Sequence, residues 1–391
     1  MAVTLADVAT RAGVSAATVS RVLSGNYPVA GATRSRVLRA VEDLQYVVNG
    51  PASALAAATS DLVGVLVNDI ADPFFGIIAG AVQSETGDGG PDGTGGRKLA
   101  VICNTGGSPE RELTYLTLLQ RQRAAAVVLT GSAVEDETHS NALAARLRHM
   151  SAGGTRIVLC GRPPLAAPGA AAEVPEGSEA PAGETRDPRS RKPREPHAKD
   201  AGADGIVTVA FDNRGGARRL TEHLLALGHR RIGYVTGPAE RTTTRDRLEG
   251  HRLALRERAP ELLERAEQFT VHGGAYDRSS GYDGALELLR RVPGLTAVLG
   301  ANDTVALGVC AALRDQGLRI PEDISVAGFD DLPFSADASP ALTTVRIPLH
   351  DAGARAGRFA LGRETPPPGG VATVHTELMA RSSTAPPAHR A

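Results

Sequence analysis

Nucleophiles, metal ligands and phosphate cradles each require particular residue types at fixed spacing, and this sequence offers few of them. The cysteines Cys103, Cys160 and Cys310 form no CxxC pair, and each sits in an apolar run. That pattern predicts three buried thiols in a reducing compartment. No HExxH pair, nucleophile elbow or GxGxxG following a strand occurs. The run GDGGPDGTGGRKL is Gly-rich, yet Leu99 follows Lys98 where a phosphate loop needs Ser or Thr. The expectation is a protein that is not an enzyme and uses no metal or cofactor. A different chemistry gathers in residues 1–60, where Arg11, Arg21, Arg34, Arg36 and Arg39 face Asp7, Glu42 and Asp43. Hydroxyls at Thr4, Ser15, Thr18 and Ser20 lie near expected helix starts, where they and the backbone amides can meet phosphates.

The elements that would position these groups are all helical. Thr4 and Asp7 form a T-x-x-D capping box ahead of Leu5, Val8, Ala9 and Ala12 at helical spacing. Gly13 breaks that helix. Ser15 caps a second one carrying Val19, Val22 and Leu23 inward, and Gly25-Asn26 ends it. A third spans roughly residues 32–44, and a short fourth segment runs from Pro51 to Ala58. Two short helices about a Gly-containing turn form a helix-turn-helix, which sets its second helix in the DNA major groove. A small helical bundle with no DNA function fits the same spacing.

From Asp61 onward the texture changes. Apolar runs at Leu62–Val67, Leu99–Asn104, Ala126–Leu129, Ile157–Cys160, Val207–Phe211, Ile232–Thr236, Ala297–Gly300 and Ile324–Gly328 alternate with amphipathic stretches. Buried strands alternating with helices imply parallel sheets, and so many strands imply two lobes. The Gly-rich segment 87–96 reads as a loop. Residues 166–203 lack apolar periodicity and read as a disordered insertion, although residues 186–199 are basic enough to suit a DNA arm as well as a solvated surface.

Bulk composition supplies bounds only. The 391 residues carry a formal net charge of −1, so nucleic-acid binding has to come from a local patch. Aromatic residues make up 3% with no Trp, which leaves the core to Ala, Val and Leu. Neither a signal peptide nor a membrane-length apolar run is visible, and a cytoplasmic protein is expected.

The string TLADVATRAGVSAATVSRVLSG closely resembles the headpiece of the lactose-repressor (LacI) family of bacterial regulators, and VEDLQYVVN resembles its third helix and exit. The likeness continues through LVGVLVNDIADPFFGIIAGA, VAFDNRGGARRLTEHLLALGHRRIGYVTG, GANDTVALGVCAALRDQGLRIPEDISVAGFDD and LTTVRIPLHDAG. The implied fold is an all-α helix-turn-helix headpiece plus an α/β body of two Rossmann-like lobes, like the periplasmic sugar-binding proteins. By resemblance the headpiece covers residues 1–48, a hinge helix and linker 49–60, and the body 61–384. Lobe 1 is expected over about 61–161 and 330–358, and lobe 2 over about 162–329 and 359–384.

The resemblance also implies roles. Ala16 and Ala17 occupy base-choosing positions at the start of the recognition helix, and Arg21 a third. Alanines offer only methyl contacts to thymine, so Arg21 would supply the polar readout, bidentate to guanine or as a phosphate contact. The segment Asn49-Gly-Pro-Ala-Ser-Ala-Leu55 matches the hinge, whose Leu55 would wedge into the minor groove. Departures are Val48 in place of Pro, Ala30 in place of a Ser cap, and Gly50-Pro51 opening the hinge. In the body, Arg247 and Asp303 match ligand-binding positions, and charged groups of this kind suit a hydroxyl-rich effector. Asp303 also suits a helix cap. Phe74, Tyr276 and Phe211 are candidates to stack on a ring. Arg162 sits in CGRPP where the family often has Asp-Arg, with Gly161 replacing the Asp.

The implied partners are palindromic double-stranded DNA, a second copy of the chain and a small-molecule effector, a sugar or alternatively a nucleobase or nucleoside. A repressor of carbohydrate-utilisation genes is expected. Competing classes are an enzyme and a sugar-uptake binding protein. The tail after Thr384 has no heptad pattern, so a dimer is expected over a tetramer.

Overall fold

The computed structural model describes residues 3–24, 28–46, 60–87, 98–165 and 205–388. The hinge residues Asn49 and Leu55, the 166–203 insertion and most of the Gly-rich segment lie outside the described residues. The chain divides into two compact units, Met1–Ser60 and Asp61–Ala391.

The smaller unit holds α1 (Leu5–Ala12), α2 (Ala16–Ser24) and α3 (Gly31–Asp43). Thr4 caps α1 through the capping box, its hydroxyl donating to Asp7 Oδ2 at 2.7 Å, and Gly13 closes the helix in the left-handed conformation at φ 65°. The Ser15 hydroxyl accepts from the Thr18 amide at 3.2 Å and so starts α2. Val8, Val19 and Val37, one from each helix, are fully buried against one another. Small β-branched side chains hold this core, as the scarcity of aromatic residues requires.

In the larger unit the chain first builds β1 (Leu62–Val67), α4 (Pro73–Gly87), β2 (Leu99–Asn104), α5 (Pro109–Arg121) and β3 (Ala126–Thr130). It continues through α6 (Glu137–Ala152), β4 (Arg156–Cys160) and β5 (Ile206–Phe211). Next come α7 (Asn213–Ala226), β6 (Ile232–Thr236), α8 (Thr242–Arg258), β7 (Thr270–His272), α9 (Arg278–Arg291) and β8 (Ala297–Gly300). The last elements are α10 (Asp303–Asp315), β9 (Ser325–Ala327), α11 (Pro333–Asp337), β10 (Thr344–Arg346), α12 (Leu349–Leu361), β11 (Val371–Val374) and β12 (Glu377–Met379). A parallel six-stranded sheet in the order β11-β5-β4-β3-β1-β2 forms one lobe. A parallel four-stranded sheet, β7-β6-β8-β9, forms the other.

The lobe boundaries differ from the sequence expectation. Strand β5 pairs with β4, β11 pairs with β5, and α12 packs on α4. The first lobe therefore carries residues up to Phe211 together with the α12–β11 segment, and the second carries α7 to β10 with β12. Among the described residues the chain crosses between lobes three times, near Asp212, Pro348 and Thr376. Arg219 ties the first crossover to the third, donating to Asp212 Oδ2 at 3.1 Å and the Thr376 carbonyl at 3.0 Å.

Within the second lobe, α9 and α10 lie close enough to need glycine on both sides. A Cβ at Gly281 would stand 2.0 Å from the Val305 carbonyl oxygen, and one at Gly308 would stand 2.0 Å from that of Arg278. The three cysteines are buried, and burial pushes the Cys160 thiol up to about 12. Among the described residues, no helix is long and apolar enough to cross a membrane.

Candidate ligand cleft and nucleic-acid interface

In the helical unit, Ala16, Ala17, Ser20 and Arg21 are exposed on one face of α2, while Val19 and Val22 point the other way into the core. This follows from helical periodicity, because residues 16, 17, 20 and 21 are spaced by three and four. Arg21, Ser15 and Thr18 border a groove of about 590 Å³ that also touches Val29, Ala30 and Thr33 at the start of α3. Ala30 supplies no side-chain cap there, which leaves leading amides of α3 open to an anion such as a phosphate. Thr4 is engaged in its own cap, so its hydroxyl serves the helix first.

In the body, a cleft of about 450 Å³ lies between the lobes. Its walls are strand ends and the segments that follow them: Asn68 after β1, Asn104 at the end of β2, Gly131 after β3, Gly161 after β4 and Phe211 at the end of β5. From the second lobe come Arg241 after β6, Tyr276 after β7, Asn302 after β8 and Asp330 after β9. Ligands of open α/β sheets bind outside the carboxyl ends of the strands for this reason.

Arg247, on α8, anchors the floor. Its Nε donates to Asn213 Oδ1 at 2.9 Å, Nη1 to the Ala301 carbonyl at 2.6 Å, and Nη2 to Asp330 Oδ1 at 2.8 Å. The guanidinium also lies 3.7 Å from the Phe329 ring centre. These bonds fix the planar fork and leave further N–H groups for a bound molecule. Phe74 stands on the first-lobe wall, edge-on to Phe75 and Phe211. Tyr276 faces the cleft from the second lobe, with its hydroxyl 2.7 Å from that of Thr244.

Two expected ligand residues lie elsewhere. Asp303 is wholly buried off the cleft lining and serves the protein, accepting from the Leu332 amide at 2.7 Å and the Ser335 and Thr344 hydroxyls at 2.6 and 2.5 Å. Its neighbours Asn302 and Asp330 line the cleft instead. Arg162 is buried beside the cleft, paired with Glu112, whose carboxylate also accepts from His139 Nε2 at 3.1 Å. Burial pushes Glu112 up, but the Arg162 guanidinium and His139 outweigh it and hold the carboxyl at about 2. Both Asp303 and Asp330 are raised by burial, to about 7 and about 6.

One mouth of the cleft is clasped. Val134 and Arg241 form an antiparallel bridge; the Glu135 amide donates to the Glu240 carbonyl at 2.7 Å and the Thr242 amide to the Ala133 carbonyl at 3.1 Å. The Ala133 amide donates to the buried Thr242 hydroxyl at 3.1 Å, and Arg245 pairs with Glu135. Losing the hydroxyl in Thr242→Val strands that amide, at a cost of about 1–3 kcal/mol. Amide exchange at Ala133 and Glu135 is expected to speed about tenfold or more, with β3 unchanged; equal rates in both proteins would show that the clasp is not held there.

Residues 4–49 match the bacterial regulatory proteins of the lacI family, and residues 221–384 match the periplasmic binding protein-like domain. The HTH-type transcriptional regulator GalS of Salmonella typhimurium is 34% identical over 347 residues, 89% of this chain and 86% of GalS. This chain belongs to the LacI family. It is a transcriptional regulator with a helix-turn-helix headpiece. A solved complex of the transcriptional regulator CelR with cellobiose is 27% identical, covers 97% of this chain and 99% of that one, and has a TM-score of 0.60. The lac repressor dimer bound to operator and an anti-inducer shares the fold at a TM-score of 0.70 and 24% identity, covering 98% of this chain and 100% of that one.

Within this LacI-family body, the expected candidates Arg247, Phe74, Phe211 and Tyr276 line the cleft, and so does Asp330, which sequence reasoning did not single out. The available signal was position: Asp330 closely follows β9, in GFDD, as Asn302 closely follows β8. Strand ends face the cleft, whereas Asp303 is the first residue of α10.

Proposed function

We propose that this regulator is a cytoplasmic homodimer that represses carbohydrate-utilisation genes from a palindromic operator and is controlled by a saccharide bound between its lobes. The observation that carries this reading is the cleft floor, where a buried, oriented Arg247 and its partner Asp330 face a cavity lined by polar and apolar groups alike, beside Phe74 and Tyr276. Fixed donors and acceptors next to aromatic faces suit a ring bearing hydroxyls. The CelR–cellobiose complex supports a sugar, and the operator-bound lac repressor supports a dimer. The cleft is read as a sensor without catalysis, since its most buried charged pair is engaged in holding the floor.

On DNA, α2 would lie in the major groove of each half-site, with Ala16 and Ala17 against thymine methyls and Arg21 on a guanine. Ser15, Thr18 and Ser20 would meet phosphates, as would Thr4 beside the capped end of α1. Asn49 and Leu55 would belong to the hinge. Effector binding would change the lobe angle and through it operator affinity, by a coupling typically about 1–3 kcal/mol.

The test is recovery of fragmented source DNA by the purified chain, followed by sequencing. Enrichment of a few palindromes next to sugar-utilisation genes is expected; uniform recovery would overturn the operator reading. Arg21→Ala should lose about 1–3 kcal/mol of discrimination at one base of each half-site while non-specific binding weakens only slightly. An unchanged site preference would assign Arg21 to the phosphates.

A further inference from the structure

We infer that the effector is an uncharged saccharide, and that the cleft rejects phosphorylated and acidic sugars through Asp72 and Asp277, which occupy the places where an anion would dock. The inference rests on the carbohydrate reading above and adds the charge class of the ligand.

The cleft is lined by five carboxylates and two guanidinium groups. One of the carboxylates, Asp330, is neutralised by Arg247. Among the described residues, Asp69, Asp72, Glu240 and Asp277 form no ion pair, whereas Arg241 donates to the Gly107 carbonyl at 2.9 Å. A phosphate entering this space meets a surplus of negative charge in a partly desolvated site, where Coulomb repulsion is stronger than in water.

Helix starts usually reverse that balance, because their free amides and dipole attract anions. Here the chain fills them itself. Asp72 accepts from the Phe74 amide at 3.0 Å at the head of α4, and Asp277 accepts from the Ser280 amide at 2.7 Å at the head of α9. Asn302 caps α10 in the same way, accepting from the Val305 amide at 2.9 Å. The start of α8 has no side-chain cap, but its Thr242 amide is engaged with Ala133 and Glu240 stands next to it. Each of these four ends is thus capped by a side chain of the protein itself or flanked by a carboxylate. A hydroxyl-rich ring without charge loses nothing to this field, and its hydroxyls can donate to the same carboxylates.

The experiment is calorimetric titration of the full-length chain with glucose, galactose, cellobiose and lactose, each beside its 6-phosphate, and with hypoxanthine and guanine. At least one neutral sugar is expected to bind, with its 6-phosphate about 30-fold weaker or more, a gap that narrows at 0.5 M salt. In a chain carrying Asp72→Asn and Asp277→Asn the gap should shrink about tenfold, because asparagine caps a helix as well as aspartate does while removing the charge. A 6-phosphate that binds as tightly as its parent sugar overturns the inference and leaves the carbohydrate reading standing. Binding of the purine bases alone removes that reading, and the inference with it.

Discussion

Replacing Arg247 by alanine is expected to abolish the effector response and to destabilise the body by about 3–5 kcal/mol. Both members of the Arg247–Asp330 pair are buried, with side chains 5% and 3% exposed, so the truncation leaves a carboxylate in low dielectric without its counter-charge. It also strands Asn213 and the Ala301 carbonyl and removes the cation from the Phe329 ring. Asp303 suffers too, because burial, and after it the charge on Asp330, already raise it. Urea unfolding followed by effector titration separates the two losses. The double variant Arg247→Met, Asp330→Leu removes the pair as a unit, and apolar replacement of a buried pair is often close to neutral. Its stability should recover most of the loss while the effector response stays absent. Arg247→Lys keeps the charge but not the planar fork, so it should unfold later than the alanine variant and still bind poorly. An alanine variant with normal stability and normal response would show that the cleft floor is held by other groups.

That outcome depends on a residue pair the sequence revealed only in half. Arg247 was legible because the short run TTTRDRLEGHR matches a family position by resemblance, and its pairing with Asp330 was not, because pairing across 83 positions leaves no trace in local pattern. Local features were legible where local physics decides them. The Thr4–Asp7 capping box, the Ser15 cap and the apolar runs that became β1, β2, β6 and β8 appear at the positions their spacing requires. Membership of a lobe is decided by which apolar run pairs with which, and β5 and β11 carry no mark of their neighbour. The strands β7, β10 and β12, three residues each, are too short to show a period. Arg162 shows a further limit. Gly161 before it holds φ 78°, and a Cβ there would stand 2.7 Å from the Phe211 ring, so the chain turns close under that ring and Arg162 goes to Glu112 rather than to the cleft. The resemblance gave the residue a place along the chain but no direction for its side chain.

The stability gap between the native chain and Asp303→Asn should depend on pH, widening in favour of the variant by on the order of 2 kcal/mol between pH 5 and pH 8. Burial raises Asp303 to about 7, above the unfolded value near 4. The folded chain therefore binds a proton that the unfolded chain has released anywhere between those values. For a carboxyl shifted in this direction, stability is greatest below the unfolded pKa and declines as pH rises through the folded one. At pH 5 the group is a neutral acid, which asparagine imitates in shape and charge, so the two proteins should differ little. At pH 8 the native chain holds a buried carboxylate close to Asp330, and the variant does not. Comparing the two proteins is necessary because His251, lowered by burial to about 4, pulls the whole profile the other way, and His223 and His229 are lowered as well. Their contributions, fully present above the unfolded histidine value and lost as pH falls, cancel in the difference. The competing outcome has a distinct signature. If the three donors from Leu332, Ser335 and Thr344 outweigh burial and keep Asp303 ionised throughout, asparagine loses the same charge-assisted bonds at every pH. The variant would then be weaker by a constant amount, and urea midpoints measured at pH 5, 6.5 and 8 decide between a sloping difference and a flat one.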